Sequence, residues 1–600
     1  MSARNGSEAD GEKAIDFTGS GLRLLRGMRP DRWLVGATVA WGLASVALSV
    51  LVPRLLGDAT DIILVGMRGD GVDFSAVGRV LAEALAATAG ASVFTLAQER
   101  LTASIAERLA RRLREQATTK LFGLPLRYFD RQSRGEVLSR VTNDIDNVTQ
   151  TVQQALTEII TSVLSVLGVL VMMLWISPLL ALVALLSVPF SAYITRLIAK
   201  RSQPQFVRQW AATGRLNGHI EEMFTGHAVV KAFGRQPEAM RTFVEHNDEL
   251  FTAGFRAQVV SGLIRPAMTF VGHLGYVLVA VIGGLRVAAG GMTIGGVQAF
   301  IQYTQQFNQP ITQVASLANL LQSAVASAER VFQLLDEEEE RPDPVDSGHP
   351  AVGGVAGKVE FEHVSFSYEP DTPLIEDLCL TVEPGQTVAI VGPTGAGKTT
   401  LINLLMRFYE PTGGRITVDG RDIAAMPRST LRADIGMVLQ ESWLFGGTIA
   451  ENIGYGMGQV PRERIVEAAR ATHADHFIRT LPHGYDTALD GEGANVSAGE
   501  RQLITIARAF LTEPAVLVLD EATSSVDTRT EMLVQRGMAS LRRGRTSFVI
   551  AHRLSTIRDA DAIVVMDKGR IVEQGTHKEL LATGGAYARL YAAQFSSVRQ

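Results

Sequence analysis

Ile159–Thr195 runs for 37 residues without an Asp, Glu, Lys or Arg. About 20 apolar helical residues cross the hydrocarbon core of a bilayer, so this stretch is long enough for two crossings. Trp175-Ile-Ser-Pro178, near its middle, supplies the turn between them. Trp33–Pro53 has 21 uncharged residues, Pro266–Leu285 has 20 and Val287–Ala328 has 42. Val77–Gln98 is a weaker candidate, with Arg79 and Glu83 near one end. Six membrane spans are therefore expected, because helices of a soluble core rarely run so far without charge.

Charge sets the orientation. Arg23, Arg26, Arg29 and Arg32 precede the first span, which places the N-terminus on the cytoplasmic side. The polar start, Met1–Asp16, does not have the order of regions of a signal peptide. Two basic segments follow the second and fourth spans, Arg100–Arg140 and Lys200–Arg256. They are too long for simple loops and are expected to be membrane helices extended into the cytoplasm. Both termini then lie inside. Residues 1–330 carry 31 basic and 25 acidic groups, and residues 331–600 carry 26 and 37, a net of +6 against −11. The chain is thus two chemically different halves, and the acidic one argues against nucleic acid as a partner. A single cysteine, Cys379, excludes an internal disulfide.

The last span has a polar face. Gln298, Gln302, Gln305, Gln309 and Gln313 recur at intervals of four, three, four and four, which is one side of a helix. Amides turned to lipid are costly, so this face is expected to look inward, lining a hydrated substrate path or bonding neighbouring helices. His273, one span earlier, is expected to be packed or hydrogen-bonded.

Residues 331–357 form a linker, marked by the acidic run Asp336–Glu340 and Arg341-Pro-Asp-Pro344. The apolar strand Thr387–Val391 then leads into Gly392-Pro-Thr-Gly-Ala-Gly-Lys398-Thr399-Thr400 and an apolar helix. Strand, glycine loop and helix are the setting of a P-loop. Backbone N–H groups of Gly392, Pro393, Thr394, Gly395, Ala396 and Gly397 (all but the proline) are placed to approach phosphates, Lys398 to reach the β- and γ-phosphates, and Thr399 to ligate Mg²⁺. A second buried strand, Ala515–Leu519, ends in Asp520-Glu521, where one acid can hold Mg²⁺ and the next can take a proton from the attacking water. The strand Thr546–Ile550 delivers His552 toward the same place.

Taken in order, these motifs resemble the ABC transporters, in particular the exporter type that fuses six spans to one nucleotide-binding domain. The resemblance covers nearly the whole chain after residue 17. Tyr368 matches the aromatic that stacks on adenine, Gln440 in Val438-Leu-Gln-Glu the Q-loop, Val496–Gln502 the signature, and Ser524-Ser-Val-Asp527 the D-loop. His552 matches the switch histidine, and Leu124–Asp130 with Gly135–Arg140, and Gly226–Phe233, match the two coupling regions. The resemblance implies an all-α six-helix transmembrane domain with long cytoplasmic helical extensions, followed by an α/β P-loop ATPase domain. The domains are then 1–16 as a polar tail, 17–330, the linker 331–357 and 358–600. It also implies ATP and Mg²⁺ as cofactors, Glu521, His552 and Gln440 as catalytic residues, and Thr399, Gln440 and Asp520 around the metal. The nucleotide contacts are Tyr368, Gly392 to Thr400, Ser497, Ala498, Gly499, Glu500 and Asp527.

The signature departs from the family's usual Leu-Ser-Gly-Gly-Gln, reading Val496-Ser-Ala-Gly-Glu500. Glu500 brings a negative charge to where a second subunit's ATP would lie. A sound Walker side with an altered signature is similar to one subunit of heterodimeric bacterial exporters, so a different half-transporter is the expected partner, with a homodimer as the alternative. The function implied is ATP-driven export or flipping of an amphipathic, lipid-like or drug-like solute across the plasma membrane by alternating access. An importer, or an ATP-gated channel or regulator, is the competing reading.

Overall fold

The computed structural model describes all residues except 1–15, 69–70, 345–354, 370, 440–441, 491–492, 494, 521–527, 552–553 and 596–600. The chain divides into two compact units, residues 1–122 with 133–337, and residues 123–132 with 338–600.

The first unit is helical. It contains α1 (Phe17–Gly27), α2 (Arg32–Arg68) and α3 (Phe74–Gly123), and α4 (Leu126–Arg131) then belongs to the other unit. The helices α5 (Arg134–Ser139), α6 (Ile145–Ile176), α7 (Pro178–Thr225), α8 (His227–Ala232), α9 (Gln236–Gly262), α10 (Ile264–Ala288) and α11 (Ile294–Asp336) complete it. Among the described residues, five helical segments are long and apolar enough to cross a membrane, with mean hydropathies from 1.6 to 2.5. The sixth expected span lies in α11, which has 43 residues and carries the glutamine row. At about 1.5 Å per residue the 50 residues of α3 and 48 of α7 reach roughly 70–75 Å, more than twice the hydrocarbon thickness. The turn between α6 and α7 is where the sequence placed it. Ser177 leaves the helical conformation, its hydroxyl accepts from the Leu180 N–H, and Pro178 occupies the first helical position, where no amide hydrogen is needed.

The core of this unit packs Val46, Val50, Val169, Met173 and Leu180 against Phe300, Tyr303 and Phe307 of α11, and the Tyr303 hydroxyl donates to the Val50 carbonyl at 2.6 Å. The backbones of α2 and α11 approach closely at Gly57 and Gly295. A β-carbon on Gly295 would lie 1.9 Å from the Gly57 carbonyl, so only hydrogen fits. Asp61 accepts from the Gly295 N–H at 2.7 Å, satisfying an unpaired amide of the first turn of α11. That helix continues to Asp336, into the segment read as linker.

The second unit has strands β1 (Val359–Phe366), β2 (Ile375–Val382), β3 (Thr387–Val391), β4 (Gly413–Val418), β5 (Arg421–Asp422) and β6 (Ile435–Val438). They are followed by β7 (Gly447–Thr448), β8 (Ala488–Leu489), β9 (Val516–Asp520), β10 (Thr546–Ile550), β11 (Ala562–Asp567) and β12 (Arg570–Gly575). An antiparallel sheet has the order β2-β1-β4-β5 and a mainly parallel one the order β12-β11-β3-β10-β9-β6. The central strands β3, β9 and β10 are buried on both faces, as a parallel sheet covered by helices requires. The two sheets share one apolar cluster, in which Phe361 meets Phe548 edge-on at 6.4 Å.

Candidate functional site

The carboxyl ends of adjacent parallel strands converge on one edge of the large sheet, where open α/β sheets bind ligands. There β3 passes into the glycine loop and then α12 (Lys398–Leu405). Gly392 takes φ +154°, and a β-carbon on it would sit 2.1 Å from the Met566 carbonyl. Gly395 and Gly397 also have positive φ, and Gly397 caps α12. The resulting backbone concavity at a helix N-terminus suits the shape and charge of a polyphosphate.

Lys398 lies half-buried in this loop and donates to the carbonyls of Gly392 at 2.8 Å and Pro393 at 2.9 Å. Burial pulls its ammonium pKa below the ordinary lysine value, while the Asp520 carboxylate opposes the shift. Asp520 ends β9, in register with Ile550 at the end of β10. The Thr399 side chain is exposed at the loop mouth and Thr400 is buried. The P-loop residues and Asp520 are therefore brought together. Gln440, Glu521, Asp527 and His552 lie outside the described residues, as does the tail 1–15.

Tyr368 follows β1. Its ring meets Phe366 at 4.9 Å and Tyr409 at 5.0 Å, both edge-on, and its hydroxyl is 3.2 Å from that of Thr400. The adenine-stacking candidate is thus held against the P-loop helix by an aromatic cluster. The Tyr409 hydroxyl bonds the Asp130 carboxylate of α4, and Arg127 of α4 donates to the Tyr368 carbonyl at 3.0 Å. Burial and the Asp130 carboxylate both push the Tyr409 phenol upward, so it stays protonated through neutral pH. Arg127, Tyr368 and Tyr409 line a cleft of about 270 Å³ with Arg407 and Arg428. Arg428 is nearly buried and bonds Asp343 at 2.6 Å and the Arg341 carbonyl at 2.8 Å, tying the chain just before the nucleotide-binding fold to it. Of the second coupling region, α8 has no buried residue.

The signature opens the helix Ala498–Leu511, with Ser497 as its N-cap. Glu500 turns back on it. One carboxylate oxygen accepts from the Ser497 N–H and from the Ser497 hydroxyl, both at 2.8 Å, while that hydroxyl accepts from the Glu500 N–H at 3.3 Å. The Glu500 carboxylate is thus engaged in a capping box, which the Ser-x-x-Glu spacing encodes. The neighbouring Arg501 guanidinium bonds the Gly493 and Val496 carbonyls. Ser497 and Ala498 are exposed and Gly499 is buried.

In the helical unit, the glutamine row splits. Gln298 accepts from the Thr60 hydroxyl at 2.7 Å, which is interhelical bonding. Gln302 is half-buried, while Gln305, Gln309 and Gln313 are exposed, on a side of α11 separate from the buried Phe300, Tyr303 and Phe307. His273 is exposed rather than packed, a correction to the expectation. It falls on an outward side of α10, whose buried residues Val271, Gly275 and Val279 lie on another.

Comparison with known proteins supplies the rest. The ABC transporter transmembrane region matches residues 36–311 and the ABC transporter ATPase region residues 375–524. The chain is 53% identical to the fatty acid ABC transporter ATP-binding/permease protein of Mycobacterium bovis, across 97% of both chains. It is 40% identical to the ATP-dependent lipid A-core flippase of Chromobacterium violaceum, over 81% of this chain and 83% of that one. The solved structure of a bacterial Atm1-family ABC exporter with ATP bound aligns with a TM-score of 0.74 at 29% identity, covering 94% of this chain and 98% of the other. One membrane region and one ATPase region per chain also imply a dimer, with a small-molecule or lipid substrate. The chain belongs to the ABC transporter family, as an exporter-type member that couples ATP hydrolysis to transport across a membrane.

Proposed function

We propose that this chain is a half-transporter that pairs with a second, different half-transporter subunit and moves a long-chain acyl lipid outward across the plasma membrane, its nucleotide-binding unit in the cytoplasm. The observation that carries the substrate class is the 53% identity over 97% of the chain to a protein named for fatty acids. The exposed glutamines of α11 support it, because a row of uncharged amides can hydrate a polar head while the surrounding apolar helices accept a tail.

In this reading Tyr368 holds the adenine, the backbone from Gly392 to Thr400 and the Lys398 ammonium hold the phosphates, and Thr399, Asp520 and Gln440 would hold Mg²⁺, which would supply positive charge to offset that of the phosphates. The loop fits these groups, since glycines with positive φ at 392, 395 and 397 fold its backbone onto the N-terminus of α12 and its lone ammonium has carbonyls as its bonding partners. Glu521 takes the proton of the attacking water, and His552 stabilises the transferring phosphoryl group. Ser497 to Glu500 and Asp527 face the nucleotide held by the second subunit. Closure of the two nucleotide units then moves the coupling regions, and hydrolysis resets them.

The test is ATPase activity in lipid nanodiscs across a series of saturated fatty acids, alone and with the product of an adjacent transporter gene. Stimulation that rises with chain length supports the acyl substrate, and a flat response refutes it. Activity confined to the mixture supports the heterodimer, whereas full activity of the single chain assigns a homodimer.

A further inference from the structure

The outward face of the antiparallel sheet carries a group of side chains that ATP binding and transport do not use. His363 of β1 and Asp377 and Cys379 of β2 present one nitrogen, one oxygen and one sulfur atom, all within 4.8 Å of one another. The pairing of the strands creates the group. The ladder between β1 and β2 shifts register between Phe361 and Val364, and the irregularity turns His363 to the solvent side. Asp377 and Cys379 are two residues apart and share that side, while Leu378 and Leu380 point into the core. His363 and Asp377 both adopt φ +50°, a left-handed conformation uncommon outside glycine, and the Asp377 N–H is held by the Ser365 hydroxyl at 3.2 Å.

We propose that His363, Asp377 and Cys379 form a surface zinc site on the nucleotide-binding unit. Nitrogen, thiolate and carboxylate are the donors Zn²⁺ takes, and three protein ligands leave a fourth tetrahedral position for water. With metal–ligand bonds of about 2.0 to 2.3 Å, a tetrahedral site separates sulfur from nitrogen by about 3.5 Å and nitrogen from oxygen by about 3.3 Å. The Cys379 Sγ to His363 Nδ1 separation is 3.6 Å, already that of a shared metal. The His363 Nδ1 to Asp377 Oδ1 separation is 2.6 Å, so this edge opens by less than about 1 Å when a cation replaces the hydrogen bond. Both side chains are about three-quarters exposed, so that rotation meets no packing and solvent reaches the open position. On binding, the Cys379 S–H bond breaks, its proton leaves to water, and the sulfur lone pair forms the Zn–S bond with no change of oxidation state.

The experiment uses the full chain in detergent, without a histidine tag, titrated with Zn²⁺ in a calorimeter and with Co²⁺ as a spectroscopic probe. One Zn²⁺ per chain is expected, with proton release and, for Co²⁺, a thiolate-to-metal charge-transfer band. Cys379→Ser should abolish the band and weaken Zn²⁺ binding more than tenfold. His363→Asn and Asp377→Asn should each weaken it comparably, and asparagine accepts the left-handed backbone, so both variants keep the fold. The thermal midpoint of the chain, and basal ATPase activity in whichever pairing of subunits is active, should be unchanged in all three, which verifies folding. Unaltered Zn²⁺ affinity in Cys379→Ser, or no saturable binding up to millimolar Zn²⁺, would overturn the proposal.

Discussion

Glu500→Gln should let this transporter hydrolyse ATP at lower ATP concentrations. The Glu500 carboxylate accepts the Ser497 hydroxyl at 2.8 Å, so the proton the hydroxyl would offer to a second subunit's phosphate is already spoken for. A hydrogen bond to a charged group contributes about 1.5–3 kcal/mol and a neutral one about 0.5–1.5 kcal/mol. Releasing the hydroxyl from a glutamine therefore costs about 1–1.5 kcal/mol less, which is roughly five- to tenfold in the population able to engage ATP. Loss of the negative charge at the helix N-terminus opposes this in stability only, by about 0.3–1 kcal/mol, and glutamine still completes the capping box. The assay is the ATP dependence of hydrolysis in nanodiscs, under whichever pairing of subunits is active. A fall in KM for ATP of roughly that size, with a thermal midpoint lowered by a few degrees at most, is the expected result. An unchanged or higher KM would show that Ser497 is not limited by Glu500 and would refute the reasoning.

Lys398→Ala removes the one ammonium in the P-loop and should weaken ATP binding about tenfold or more, measured with a fluorescent nucleotide; retained affinity would exclude the phosphate role. Arg428→Ala removes one of the two guanidinium groups that pair with Asp343 and Glu410, leaving Arg407 beside both, and should destabilise the nucleotide-binding unit by about 1 kcal/mol in denaturant unfolding, whereas no change would mean the Arg428 ion pairs contribute nothing. Tyr409→Phe removes the hydroxyl that bonds Asp130 and should cost about 1 kcal/mol while leaving ATP affinity at Tyr368 intact, which parallel unfolding and binding curves would reveal.

Local signals were readable from the sequence and long-range pairings were not. Ser177-Pro178 marks its own helix break because a capping hydroxyl and a missing amide act within three residues. Gly392 to Lys398 is likewise legible, since strand, glycines and lysine are contiguous. The bond between Tyr409 and Asp130 joins positions 279 apart, and no pattern along the chain encodes it. His363 and Cys379 meet only through a bulged strand register, which periodicity cannot supply. Glu500 is legible in two ways, as a departure from the family's signature and as the glutamate of a Ser-x-x-Glu capping box. The end of the last helix at Asp336 was obscured because Asp336–Glu340 has the composition of a linker, although Asp336 is paired with Arg23 at 2.5 Å.

The most direct test of ATP-driven lipid export is vectorial transport in proteoliposomes whose nucleotide-binding units face the outside medium. With the active pairing of subunits, ATP should drive a fluorescent long-chain fatty acid into the lumen, and Glu521→Gln should bind ATP yet abolish that movement. ATP-driven movement out of the lumen would contradict the assigned direction, and equal movement by Glu521→Gln would contradict coupling to hydrolysis.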